Sequence, residues 1–334
     1  MLRNQESEKS SDIPENRSNV RSIYEQNQRT RKLIDSHPEL RSLMTPDPSY
    51  FYVSLACIVT QLLIGCLLWN SSWTFVLLMT CTAGVLMATP IEYSIHEFSH
   101  DRAFPKHPLL NKVMGHLACI PITVPLYSTY YHTHRLHHSA LGTSRDSKYA
   151  SVGEKKLFNK SIGSRFLFLS IRPLVTLYRS ILIFKDIGLP THQYVWIVTH
   201  IFLQSCVNFV LMQTFSIKTF VYLFASWHLG HHFLIAGPKL YLDHYVDEDG
   251  GHTNSSYGIT NLINHNNGFH REHHDLQNIP PRYAPLVKQI APEMYPDSGV
   301  TTGSYFKEIL GLCTDGMDKH TTKLVDFNRK SKRA

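Results

Sequence analysis

FYVSLACIVTQLLIGCLLW, residues 51–69, carries no charged side chain. At about 1.5 Å of rise per residue, a helix of that length covers about 28 Å, close to the hydrocarbon thickness of a bilayer. Residues 73–91 are equally apolar and follow after only Asn70-Ser71-Ser72, so the two segments make an antiparallel hairpin. The pattern recurs at 194–212 (YVWIVTHIFLQSCVNFVLM) and at about 219–237, joined by a short turn near Ser216. The predicted fold is an all-α integral membrane protein built from two transmembrane helical hairpins, four transmembrane helices in all. Its membrane domain occupies residues 51–295, between an N-terminal arm (1–50) and a C-terminal tail (296–334).

Charge gives the orientation. No Lys or Arg lies between Arg41 and Arg102, and of the 33 basic residues only Lys218 falls beside a hairpin tip. By the positive-inside rule, both termini and the region between the hairpins are expected to be cytosolic. The net charge of +7 is spread over arm, central region and tail, which suits an anionic lipid surface and speaks against nucleic acid. Within the central region, Pro121 and Pro125 break the apolar run 109–126, as expected of a re-entrant or interfacial element. Arg165, Arg172 and Arg179 recur at intervals of seven in an apolar setting, which predicts a basic amphipathic helix lying on the membrane. The arm has no apolar run long enough for a cleavable signal, and Leu2 excludes N-myristoylation. The six cysteines show no paired spacing and are expected to be reduced.

Three histidine clusters share the expected cytosolic side: His96-Glu97-Phe98-Ser99-His100, His134-Arg135-Leu136-His137-His138 and His270-Arg271-Glu272-His273-His274. Positions i, i+3 and i+4 share a helix face, so each cluster can aim its imidazoles at one point. The candidate metal ligands are His96, His100, His134, His137, His138, His270, His273 and His274. One zinc takes about three or four protein ligands, so eight imidazoles fit two metals better, and iron is the usual choice for oxygen chemistry. HEFSH also fits the HExxH pattern of zinc proteases, but that reading leaves the other two clusters unused. A metal transporter would carry ionisable groups through the middle of its spans, whereas these histidines collect at one side. His231 and His232, in the last span, and His244 beyond it are auxiliary candidates; His228 reads better as cavity lining. Asp243, Glu272 and Asp275 are candidate acceptors for imidazole N–H groups. His132 lies off the face of its cluster, His265 reads as a local hydrogen-bonding residue, and His37, His107, His116, His192, His200, His252 and His320 read as ordinary isolated histidines.

In this order around two hairpins, the clusters resemble those of the integral-membrane di-iron desaturases and hydroxylases. LIDSHPELRSLMTPDP (33–48), Thr60-Gln61-Leu62, HEFSHDRAF (96–104), HRLHHSALG (134–142), Asp243-His244-Tyr245 and NNGFHREHHDLQNIP (266–280) are similar to the sphingolipid Δ4-desaturases, over most of residues 29–295. The resemblance implies a cytosolic histidine-rich cap holding two iron ions, with His244 and one of His231 or His232 as auxiliary ligands. It further implies O2-dependent introduction of a 4,5-trans double bond into the sphingoid base of dihydroceramide, giving ceramide. Electrons would come through cytochrome b5 and NADH-cytochrome b5 reductase, because the chain has no flavin or nicotinamide fingerprint of its own. Carbon-4 hydroxylation of the same substrate, alone or alongside desaturation, is the nearest alternative, and a fatty-acyl desaturase a more distant one. Two departures stand out. HHFLIAGPKLYLDHY (231–245) replaces the family's His-Pro-x-x-Gly-His pattern, and Arg135-Leu136 stands where an acidic residue is common, so that a carboxylate from elsewhere, such as Asp146, must support the second cluster. The tail Lys330-Ser331-Lys332-Arg333-Ala334 resembles a dilysine retrieval signal and suggests the endoplasmic reticulum membrane.

Overall fold

A computed structural model describes residues 26–141, 146–148, 152–244, 253–295 and 310–314. The first 25 residues, His252, His320 and the basic tail Lys330–Ala334 lie outside that set, so the proposed retrieval signal does too. Among the described residues the regular structure is helical throughout, as the apolar runs require. The elements used below are α1 (Ser49–Leu67), α2 (Trp73–Ser99), α3 (Pro108–Cys119), α4 (Leu126–Ser139), α5 (Val152–Asn159), α6 (Ile162–Ile187), α7 (Thr191–Thr214), α8 (217–242), α9 (His270–Asp275) and α10 (Ala284–Ile290).

The membrane helices turn small and polar residues inward and apolar ones outward. On α1, Ser54, Gln61 and Gly65 are buried while Tyr52, Leu63 and Leu67 are exposed. Across the interface Thr219 Oγ1 donates to the Gly65 carbonyl at 2.8 Å and Tyr222 OH to Gln61 Oε1 at 3.1 Å. Association between helices in lipid depends on such close approach and hydrogen bonding, since apolar surface gains little by leaving lipid. Both α2 and α8 contain π-helical stretches, Thr80–Gly84 and Ser226–Ala236, and these pack against each other. Gly84 makes the approach possible, since a Cβ there would lie 2.0 Å from Ser226 Oγ.

Four helices are long and apolar enough to cross a membrane: α1, α2, α6 and α7. The contacts distinguish α6 from the other three. Lys218 Nζ donates to the Ser71 carbonyl at 2.7 Å, so the α7–α8 turn sits beside the tip of the first hairpin, at the opposite end of α2 from His96. The N-terminal half of α7 meets the cap, with Trp196 Nε1 donating to His116 at 2.8 Å, and the end of α8 brings His244 to His137. Helix α6 meets that same end in its middle and near its C-terminus: Arg179 donates to the carbonyl of Asp146, the partner of His137, and the Phe184 carbonyl accepts from Tyr194 OH at the start of α7. Helix α6 therefore lies across the histidine-bearing end of the bundle, and the π-containing α8 returns alongside α7. The seven-residue arginine spacing faces inward, because Arg172 and Arg179 donate to the Lys148 and Asp146 carbonyls at 2.9 and 3.0 Å and both approach Glu154.

A small separate core of Leu33, Leu40, Leu276, Ile279, Val287, Ala291 and Tyr295 joins the arm to the segment after α9. Arg29 Nε bonds Asp275 Oδ2 at 2.8 Å and Thr30 Oγ1 the Asp275 carbonyl at 2.9 Å, which clamps the arm onto the third cluster.

Candidate metal centre

Each histidine cluster occupies a helix end facing a common centre. His96 and His100 close α2, His134, His137 and His138 occupy the last two turns of α4, and His270, His273 and His274 span α9. Nine imidazoles come together, in two groups: His96, His100, His134, His138 and His273 in one, His137, His244, His270 and His274 in the other. Within each group the potential ligand atoms all lie within 4.8 Å of one another.

The nitrogen geometry fits metal ions and little else. In the first group the Nε2 atoms run His96–His100 3.3 Å, His100–His134 2.9 Å, His134–His138 3.1 Å and His138–His273 3.2 Å. An imidazole Nε2 carries either one hydrogen or one lone pair. At most two of these four contacts can therefore be hydrogen bonds. The second group repeats the conflict, His244 Nε2 lying 2.9 Å from both His137 and His270 Nε2. Among the described residues, His274 Nε2 and the Nδ1 atoms of His134, His138, His270 and His273 have no hydrogen-bond partner. A cation at each centre removes the conflict by taking every inward lone pair.

Supporting groups set the ring orientations. Asp146, fully buried, accepts from His137 Nδ1 at 2.8 Å and is itself positioned by the Lys148 backbone N–H at 2.8 Å. His244 Nδ1 donates to the Leu240 carbonyl at 2.7 Å, which directs its Nε2 at the centre. Partners of this kind fix the tautomer of a ligating histidine and raise its basicity. Burial holds His134, His138, His244, His270 and His274 well below the ordinary imidazole range, each reinforced by neighbouring imidazoles. His273 falls to about 3 for the same first reason. The neutral ring is the form that binds metal, so the site is set for cations at neutral pH.

All eight cluster histidines and His244 are brought together as the sequence suggested, and Asp146 supplies the carboxylate that the second cluster lacks. Neither His231 nor His232, the auxiliary candidates of the last span, joins a group. His231 Nδ1 instead lies 3.1 Å from Thr89 Oγ1, and its Nε2 3.2 Å from Glu92. Glu272 and Asp275 also play other parts. Glu272 accepts from Ser255 Oγ and Tyr257 OH, both at 2.5 Å, and Asp275 anchors the arm. His132 stays outside both groups, and His265 bonds the Pro90 carbonyl of α2 at 3.2 Å. His116 and His200 are not isolated, meeting edge to face at 4.0 Å beside Trp196 between α3 and α7. Only the pairing of Trp196 with those rings in space reveals that cluster. The six cysteines are free.

A family model for fatty acid desaturases matches residues 52–306, a stretch that contains both histidine groups. The chain belongs to the fatty acid desaturase family. It is 30% identical over 291 residues to the "Sphingolipid delta(4)-desaturase DES1" of Bos taurus, covering 86% of this chain and 87% of that protein. Identity is 31% over 274 residues to a "Sphingolipid delta(4)-desaturase DES1-like" protein of Oryza sativa subsp. japonica, 80% of either chain being covered. A "Putative sphingolipid delta(4)-desaturase/C4-monooxygenase" of Caenorhabditis elegans is 28% identical over 269 residues, 80% of this chain and 73% of that protein. Membership in this family makes the chain an oxidoreductase embedded in a membrane. HEFSH contributes to a five-imidazole group, more ligands than a zinc protease employs.

Proposed function

We propose that this chain is a sphingolipid Δ4-desaturase, introducing a 4,5-trans double bond into the sphingoid base of dihydroceramide. The observation that carries the reading is the division of nine imidazoles into two adjoining groups of five and four at one end of a membrane bundle. The names of the relatives that match most of its length support the substrate. In this reading His96, His100, His134, His138 and His273 hold one iron and His137, His244, His270 and His274 the other. Bound iron would supply the oxygen-dependent removal of hydrogen from an unactivated C–H bond. Overall, two hydrogens leave adjacent carbons, and with O2, two electrons and two protons they balance as one alkene and two waters.

The protein's own contribution is positioning and exclusion. The ends of α2, α4, α8 and α9 hold the imidazoles in fixed directions, Asp146 and the Leu240 carbonyl lock two of the rings, and the clamped arm covers α9. Which methylene reacts depends on how the chain is held, because geometry within about an ångström governs such steps. Cytochrome b5 with its NADH-dependent reductase is the proposed electron source, and the endoplasmic reticulum membrane, with the histidine groups on the cytosolic face, the proposed location. Carbon-4 hydroxylation is a second reading favoured by the C4-monooxygenase name of the nematode relative; it diverges only after the first hydrogen is removed.

The test uses microsomes containing the full chain, labelled dihydroceramide, NADH and oxygen. The expected product is the 4,5-trans alkene in the sphingoid base, lost when either NADH or oxygen is omitted and absent for His137→Ala. A new double bond confined to the amide-linked or phospholipid acyl chains would sink the sphingolipid assignment. Purified active protein containing zinc and no iron would sink the metal assignment.

A further inference from the structure

Between the two histidine groups lies a cavity that the metal-binding role leaves unused. His96 and His134 of one group and His244 and His270 of the other form its inner edge. Its remaining walls mix apolar surface with four charged side chains, Glu92, Lys148, Lys239 and Asp243. Lys239 Nζ pairs with Asp243 Oδ2 and lies 3.3 Å from the Asn267 carbonyl, with both side chains almost wholly buried. Lys148 Nζ reaches Tyr130 OH at 3.3 Å, and the Tyr130 ring stacks on His134 at 4.9 Å and 11°. On the membrane side Glu92 Oε2 accepts from Trp227 Nε1 at 2.5 Å and faces His231 Nε2 at 3.2 Å. Desolvating this many charged groups is costly, and their mutual attraction does not make them a stabilising choice over apolar packing. They are better explained by a polar ligand.

The proposed reaction supplies one. In a sphingoid base the carbon beside C4 bears a hydroxyl, and the next bears the amide nitrogen. These polar atoms therefore enter the protein together with the reacting carbons and come to lie at the edge of the metal groups. Buried without partners, a hydroxyl or amide pays a large desolvation penalty. A centre acting deep in an acyl tail would need apolar walls at this place, whereas one acting at C4 needs donors and acceptors. We propose that this cavity is the head-group site for the sphingoid base. Lys148 and Lys239 act there as donors, and Asp243 and Glu92 as acceptors. This inference rests on the Δ4-desaturase reading. Lys239 is a positioning residue: it touches the head group and does not hold metal.

The test is saturation binding of labelled dihydroceramide, and of an analogue lacking both hydroxyls, to purified full-length protein with no electron donor present. Wild type should prefer the hydroxylated lipid. Lys239→Met should reduce that preference about tenfold or more, the usual scale for a lost charge-assisted hydrogen bond, at unchanged iron content. Lys239→Arg should restore part of it. If Lys239→Met loses metal, Lys148→Gln carries the same expectation. An unchanged preference at full metal content, or metal loss in both variants, overturns the inference. Wild-type turnover of dihydroceramide in the microsomal assay separates the two failures. With turnover intact, an unchanged preference overturns this site alone; without turnover, the parent reading falls and takes this one with it.

Discussion

Asp146 shows how much one residue can settle at this centre. It is separated from His137 by nine positions, its side chain is fully buried, and it accepts from the Nδ1 whose ring sends Nε2 toward His244. Replacing it with alanine removes the acceptor without touching a ligand. Loss of such a supporting partner typically costs about 10–100-fold in metal affinity or activity. The expected result for Asp146→Ala is therefore a protein that still binds iron, more weakly, and turns over slowly. His137→Ala should be inactive. Iron titration of the purified variants, followed by turnover, checks the order. Full activity of Asp146→Ala with normal iron affinity would show that the Asp146 contact is not what orients the His137 ring.

At the scale of elements, the crossing of α2 and α8 decides where Asp243 and His244 arrive. Gly84 allows it, since an added Cβ would meet Ser226 Oγ at 2.0 Å and Ser226 Cβ at 2.8 Å. Gly84→Val should separate the two π-helical stretches and cost about 1–3 kcal/mol, the range for overpacking a core. It should also lower iron content, because α8 carries a ligand of the second group. Gly258, whose added Cβ would meet nothing within 4 Å, is the silent control for Gly→Ala. Thermal unfolding in detergent and metal analysis read both effects. The same elements show what a sequence can reveal. The hairpins were legible because unbroken apolar runs need lipid or a core, and the clusters because their spacing repeats on a helical face. The π-helical register was not, since it is a matter of backbone hydrogen bonding that no side-chain period announces. Glu272 sits two positions after His270 and so turns away from the imidazoles toward Ser255 and Tyr257. The arginine spacing on α6 was visible, but not that the arginines face the cap. Nothing in the arm's composition disclosed that Arg29 and Thr30 would fasten it to Asp275, because the partners lie 246 and 245 positions apart.

For the whole molecule the consequence is a membrane path with fixed parity. The histidine clusters on α2, α4 and α9 must meet, so the chain crosses an even number of times between any two of them. If α6 crossed as its length and apolarity permit, α6, α7 and α8 would make three crossings between α4 and α9. Two crossings result when α6 lies along the histidine-bearing end, where Arg172 and Arg179 donate to the Lys148 and Asp146 carbonyls and approach Glu154. The charge distribution agrees, since a single basic residue, Lys218, lies at either tip. A glycosylation acceptor carried on an extended insertion between Asn70 and Ser71, or beside Ser216, should therefore be modified in microsomes. Acceptors fused to the N-terminus, placed in the α6–α7 turn near Gly188, or fused to the C-terminus should remain unmodified. The site near Gly188 is the decisive one. Modification there would make α6 a crossing helix, put the third cluster on the opposite side from the first two, and so break the metal centre that the nine imidazoles describe.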